Sequence, residues 1–438
     1  MKSIEIIDFR CFKSLNLELK SGINLLVGDN ASGKTSILRA CQYALASFFS
    51  GFSDANTTLI GPCLQDFRCE YTPENYLIPK KPIQINFSFF DSDFEFQGNH
   101  YGQVFCVSKK SEKNSKQATK GFSLYKKYSH ELFTNYWNSE MHQRRYALPL
   151  FVSFTTEDIH SKRKVSSERF HDNTPAHSLG YYECFNCNGF FRYWKKRLLI
   201  LKETDQPSVE LNVWKTAIID ALGENGCRIV KDITIRINAK KILLTLLDGR
   251  IVDVETLSDG HKRLLSIVTE IALRSAILNG DIYGDDSARK THGTVLIDEI
   301  DMHLHPSLQA RVLTSLSNAF PLIQIIATTH APIVMSGVKN SDKNIVYKIS
   351  YSQNDKSYSV SAPQMYGRDA TQIIEDILEQ PSRDLGIAQS LQTLFQKIDN
   401  EQIDEAENFI QNHPELDSLP DIQRAKTMIE FYKIGEQG

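Results

Sequence analysis

The sequence predicts an α/β fold, a sheet covered by helices on both faces, with an inserted α/β region and a small helical region at its C-terminal end. Three observations lead there. Short apolar runs at Ile23 to Val27, Thr294 to Ile297 and Ile323 to Thr328 have the length and branched content of strands buried on both faces. Segments with apolar residues at helical spacing alternate with them, from Lys34 to about Phe49 and across residues 260 to 278. A glycine-bearing segment, Gly28 to Gly33, joins the first such strand to the first such helix.

Taken in order, Ser3 to Phe9 alternates as a strand, a turn follows, and Leu15 to Lys20 alternates again before the buried run at Ile23. The first helix places Ile37, Leu38, Cys41, Ala44 and Phe48 on one face. Between about 50 and 145 the pattern turns irregular, with one alternating strand at Ile83 to Phe90 and a lysine-rich run at residues 108 to 120 that reads as a surface loop. A strand at Leu148 to Phe154, a polar stretch from Glu157 to Leu179 and a helix carrying Phe191, Tyr193, Trp194 and Lys195 complete an insert of about 50–225, expected to pack over the core. Residues 228 to 254 alternate as strand in two pieces, and after Arg368 the chain reads as two to four short charged helices. The expected domains are therefore 1–370, with the insert, and 371–438.

Composition narrows the partners. Fifty basic and 53 acidic side chains give a formal charge of -3, so no global field draws the molecule to nucleic acid or anionic lipid. Without an apolar run of about 18 residues or a signal-like start, the expectation is a cytoplasmic protein. Eight scattered cysteines suit a reducing compartment, and the CxxC at Cys184 and Cys187 lacks two further ligands for zinc. Neither heptads nor repeats occur, which excludes a long coiled-coil arm.

Chemistry concentrates in four short motifs. Gly28 to Thr35 fits GxxxxGK[ST], in which backbone amides and a helix N-terminus hold phosphates; Asn30 and Gly33 shape the loop and Lys34 adds charge at the β and γ positions. Thr35 offers a hydroxyl to Mg2+, and Ser36 is the next phosphate donor. Val295 to Glu299 is an apolar strand ending in two carboxylates, Asp298 for Mg2+ and Glu299 for the attacking water. Ser258, Asp259 and Gly260 open a helix suited to a γ-phosphate, and His330 follows the last buried strand, in reach of the same group.

The order of these motifs resembles the Walker A, signature, Walker B and switch-histidine elements of ABC-type P-loop ATPases. The resemblance is strongest to the RecF, SMC and OLD branch, through FRCF, GDNASGKTSIL, LIDEIDMHLHP and IIATTHAPIV, which together cover roughly a third of the chain. It implies ATP and Mg2+ as cofactors, Glu299 as general base, His330 as switch, Ser258 and Gly260 acting in trans, and His303 to Pro306 as a D-loop at a dimer interface. It also implies that Arg10 lies near the nucleotide phosphates. Asp259 replaces the usual glycine of the signature, and no glutamine in Ser153 to Glu157 marks a Q-loop. One phosphate loop and one signature per chain imply head-to-tail dimerisation around two ATP molecules.

Within that branch the chain is most similar to PtuA-like ATPases of Septu and retron anti-phage systems, which implies a partner HNH nuclease and, in retron forms, a reverse transcriptase with its branched DNA. A second reading is a repair or recombination ATPase that clamps DNA through residues 108 to 120 and the cluster Lys195 to Arg197. A fused TOPRIM nuclease does not fit the short tail. Tyr283 to Asp286 matches a polymerase string but reads as a turn, and His303 with His305 belongs to the D-loop segment, so no metal beyond Mg2+ is expected.

Overall fold

In the computed structural model the residues described are 1–71, 76–77, 82–90, 95–96, 99–100, 105–109, 123–138, 146–156, 176–187, 191–204, 207–353 and 355–435. The lysine-rich run beyond residue 109 and most of the polar stretch after Glu157 lie outside them. Strands β1 (Ser3–Phe9), β2 (Phe12–Glu18) and β3 (Ile23–Val27) lead into helix α1 (Lys34–Ala46). The next longer elements are β4 (Ile83–Ser88), β5 (Phe105–Lys109), α2 (Ser123–Asn138) and β6 (Leu150–Phe154). Helices α3 (Phe191–Glu203) and α4 (Val209–Leu222) precede strands β7 (Val230–Arg236), β8 (Lys241–Leu246) and β9 (Ile251–Asp253). Helix α5 (Asp259–Tyr283), strand β10 (Gly293–Ile297), helix α6 (Val312–Ala319) and strands β11 (Ile323–Thr328), β12 (Ile345–Ser352) and β13 (Ser357–Ser361) follow.

Among the described residues the central sheet has six strands in the order β6-β10-β11-β3-β12-β13. All but the last pair run parallel, so the C-terminal ends of β3, β10 and β11 open on one edge. Register sets the level of that edge: Ile297 pairs with Ala327, Ala327 with Leu25, and Thr328 with Leu26. The residue after Ile297 thus reaches the level of Thr328 and Leu26, two residues short of Gly28 at the start of the phosphate loop. Residues 83–154, read from sequence as part of an insert, supply strands to both sheets: β4 and β5 extend an antiparallel sheet of order β2-β1-β4-β5, and β6 borders β10.

Apolar burial explains these elements. Every residue of β3 and β11 is buried, which is what a parallel strand between two helical layers requires. Helix α5 is buried on nearly all sides; Thr269 on it accepts a hydrogen bond from Trp214 Nε1 of α4 at 3.1 Å. The α1 helix ends at Ala46, short of the expected Phe49, because Ser47–Ser50 tightens into a 3-10 turn whose Phe48 and Phe49 pack on Phe151 and Tyr181. Residues 228 to 254 form three strands where two pieces were read, since Gly249, at φ 87°, turns the chain between β8 and β9.

The chain divides into two compact units, Met1–Asp369 and Ala370–Gly438. The second holds helices α7 (Leu385–Asp399), α8 (Ile403–Asn412) and α9 (Pro420–Gly435) around its own core of Leu391, Leu394, Ile398, Leu416, Ile422 and Ile429. Among the described residues no helix is long and apolar enough to cross a membrane.

Candidate active site

The loop after β3 is shaped by two glycines in conformations that disfavour a side chain. Gly28 sits at φ 144°, where a Cβ would meet the Ile349 carbonyl at 2.3 Å; Gly33 sits at φ 91°, where it would meet Phe12 Cζ at 2.4 Å. Among the described residues no side chain caps α1, so its first amides remain for a ligand anion. Lys34 lies buried under the loop, its ammonium donating to Gly28 O at 2.9 Å, Asp29 O at 2.7 Å and Ser32 Oγ at 3.2 Å. Burial pushes its pKa down, while Asp29, Asp298, Glu299 and Asp301 pull it back up. Asn30 is exposed at the loop tip, and the Ser36 hydroxyl is within hydrogen-bond reach of the Cys11 thiol.

One hydroxyl-carboxylate cluster joins three elements. Thr35 Oγ1 of α1 donates to Asp298 Oδ2 at 3.0 Å, and Thr328 Oγ1 of β11 donates to Asp298 Oδ1 at 2.6 Å. The Thr328 oxygen in turn accepts from the Glu299 amide at 2.8 Å. That bond holds Glu299 in the left-handed region, at φ 48°, a costly conformation for a non-glycine residue outside a site that demands it. Asp301, further along the same turn, accepts from Thr329 Oγ1 at 2.5 Å. A set made only of hydroxyl and carboxylate oxygens fits a hard cation such as Mg2+, and the glycine-lined loop fits phosphate.

Other expected residues stand apart from this cluster. Ser258, Asp259 and Gly260 open α5, but the Ser258 hydroxyl shares a 2.7 Å hydrogen bond with His261 Nδ1 and meets no loop atom of its own chain among the described residues. Gly260 backs onto the His303 carbonyl, so the helix start and the His303 to Pro306 turn are packed together. His330 is exposed just beyond β11. Arg10 lies at the β1–β2 turn, whose next two residues touch Gly33, yet its Nε is held by Asp66 Oδ1 at 2.8 Å. Among the described residues no cluster of histidine, cysteine and acid groups could hold a further metal.

One reading changes, that of the basic cluster on α3, while the CxxC stays as expected. Arg197, expected in a basic patch, is only 1% exposed and is paired with Glu210 at 2.5 Å, and Lys195 is paired with Glu255. The spacing of Tyr193, Trp194, Arg197 and Leu198 on the buried face of α3 carried that information. The CxxC pair is two buried free thiols, Cys184 pushed up to about 12 by burial despite the Arg274 guanidinium. Sequence reasoning missed Thr328 as a site residue within the TTH string, and missed Arg263, whose Nη2 donates to the Asp298 carbonyl at 2.5 Å.

The model of the family described as "AAA domain, putative AbiEii toxin, Type IV TA system" matches residues 23–336, from the first strand of the phosphate loop to beyond His330. The chain belongs to this AAA domain family. The chain is 22% identical over 401 residues to the "Retron Vc95 probable ATPase" of Vibrio cholerae serotype O1 biovar El Tor, covering 80% of this chain and 74% of the relative. It is 24% identical to the "Retron Ec83 probable ATPase" of Escherichia coli, covering 76% and 68%. It is likewise 24% identical to the Septu protein PtuA of Bacillus thuringiensis, covering 76% and 72%. The resemblance read from the motifs to retron and Septu ATPases is thus shared by relatives aligned along most of the chain.

Proposed function

We propose that the chain is the ATP-binding and ATP-hydrolysing subunit of an anti-phage defence complex, dimerising head to tail around ATP and controlling a partner nuclease of the HNH type. In a retron-like setting the complex would add a reverse transcriptase and its branched DNA. The observation that supports this most is the single cluster joining Thr35, Asp298 and Thr328, which ties the phosphate loop to the two acids. The likeness to retron and Septu ATPases supplies the biological setting.

In this reading the α1 amides and Lys34 bind the β- and γ-phosphates, and Thr35 with Asp298 would hold Mg2+. The ion, when bound, neutralises charge between the phosphates. Glu299 takes a proton from water, aimed by the strained turn that Thr328 fixes. The uncapped start of α5, with Ser258, Asp259 and Gly260, meets the nucleotide of a second copy, and His330 and Arg10 approach the phosphates from either side. The DNA-clamping alternative is less well supported, because Glu255 and Glu210 already engage Lys195 and Arg197.

The test is nucleotide binding and turnover of purified wild type, Lys34→Ala and Glu299→Gln, each also scored for phage plating in its native gene set. Lys34→Ala is expected to weaken binding by roughly tenfold or more, the loss of a charge-assisted phosphate contact. Glu299→Gln should bind normally, accumulate dimer with ATP, and turn over at least about 100-fold more slowly. Normal hydrolysis by Glu299→Gln would remove the assignment of the base.

A further inference from the structure

Arg263 stands in the second turn of α5, the helix whose first residues are Asp259 and Gly260, and is only 6% exposed. Its Nη2 donates to the Asp298 carbonyl at 2.5 Å, the backbone atom that immediately precedes Glu299. Its Nη1 is buried and has no hydrogen-bond partner among the described residues. A buried orphan donor on a permanently charged group is costly and calls for an explanation.

The acids nearby supply one. Asp298 already accepts from Thr35 and Thr328, and Asp301 accepts from Thr329. The Glu299 carboxylate accepts no hydrogen bond among the described residues, although its charge acts on the guanidinium together with those of Asp301 and Asp298. One unassigned buried donor therefore lies in the field of two carboxylates with an unassigned oxygen, Asp301 at Oδ2 and Glu299 at both, and of these only Glu299 is held by no hydrogen bond among the described residues. Arg263 and Glu299 sit between the end of α5 suited to a second copy's nucleotide and the acid turn that serves the chain's own.

We propose that Arg263 is a positioning residue: Nη2 fixes the backbone at Asp298, and Nη1 is the donor that draws the Glu299 carboxylate into line when the start of α5 engages a second copy's ATP. This rests on the head-to-tail reading above. It gives each α5 a mechanical link from the partner's nucleotide to its own general base, so that hydrolysis waits on assembly. A planar fork with two separate donors is required, and a lysine has only one point of attachment.

The experiment compares full-length wild type, Arg263→Lys and Arg263→Gln for binding of a fluorescent ATP analogue, kcat and KM, thermal melting, and hydrogen exchange of peptides covering residues 298–304. Both variants are expected to bind nucleotide within about twofold of wild type while kcat falls roughly 10- to 100-fold, as misplacement of a catalytic group by an ångström does. Lysine should not rescue. Exchange at 298–304 should quicken even without nucleotide, with little change in melting. Unchanged kcat in both variants overturns the proposal, and so does parallel loss of binding, melting temperature and kcat, the signature of a merely structural arginine. If wild type itself fails to bind ATP, the proposed function falls; exchange at 298–304 then decides alone, faster exchange supporting the Arg263 tie and unchanged exchange overturning it.

Discussion

The Thr328 hydroxyl donates to Asp298 and accepts from the Glu299 amide, which uses its single proton and one lone pair on the two residues proposed to hold the metal and activate water. Thr328→Val keeps the shape of the side chain and removes both bonds, leaving the Glu299 amide unmatched and Asp298 Oδ1 with only the longer contact from Thr35 Oγ1 at 3.3 Å, at a cost of about 1–3 kcal/mol. The expected outcome is a melting temperature lower by a few degrees and loss of most turnover, with Thr328→Ser close to wild type; calorimetry and an ATPase assay check it. Asp298 and Glu299 were legible as adjacent acids ending an apolar run, because strand patterning and charge are local. Thr328 and Arg263 were not legible as their partners, since 30 and 35 positions separate them from Asp298 and only the sheet and α5 bring them back.

At the scale of elements, Asp66 is a clasp. It accepts from Arg10 at the β1–β2 turn at 2.8 Å, from the Tyr43 hydroxyl of α1 at 2.6 Å and from the Cys63 amide at 2.8 Å, while wholly buried. Burial alone would raise its pKa, but Tyr43, the Cys63 amide and Arg10 together hold the carboxyl below its ordinary value of 3.8. A depressed carboxylate pKa contributes stability that is present above the unfolded value and is lost as pH falls through the folded one. Wild type should therefore melt higher than Asp66→Asn near neutrality, and the gap should close as pH falls to and below about 4. Thermal melts of both proteins across that range provide the check. The strands β1, β3 and β11 and the helix α5 were legible from their own periodicity. The α4 helix and the β12–β13 hairpin were not read, and the exposed face of β13 carries no strong apolar signal.

At the scale of the molecule, Ala370–Gly438 has a core of its own, with Leu394 and Ile398 fully buried among α7, α8 and α9. Leu394→Ala should cost that unit about 2–5 kcal/mol while leaving ATP binding by the AAA domain intact. Separate transitions in calorimetry, with only one displaced, would bear this out; loss of nucleotide binding would count against it. The AAA domain fold was foreseeable because alternating strands and helices with one phosphate loop admit few topologies, whereas the sharing of residues 83–154 between two sheets depends on long-range pairing. The matched register of β3, β10 and β11 carries a last implication, for how such a chain can diverge. Those three strands act as a common ruler, and a single inserted or deleted residue in any of them would turn the following acid or loop to the wrong face of the sheet. Connections outside the ruler escape that constraint, so length changes among descendants should accumulate between β5 and α3, outside β6, while the strand lengths stay fixed.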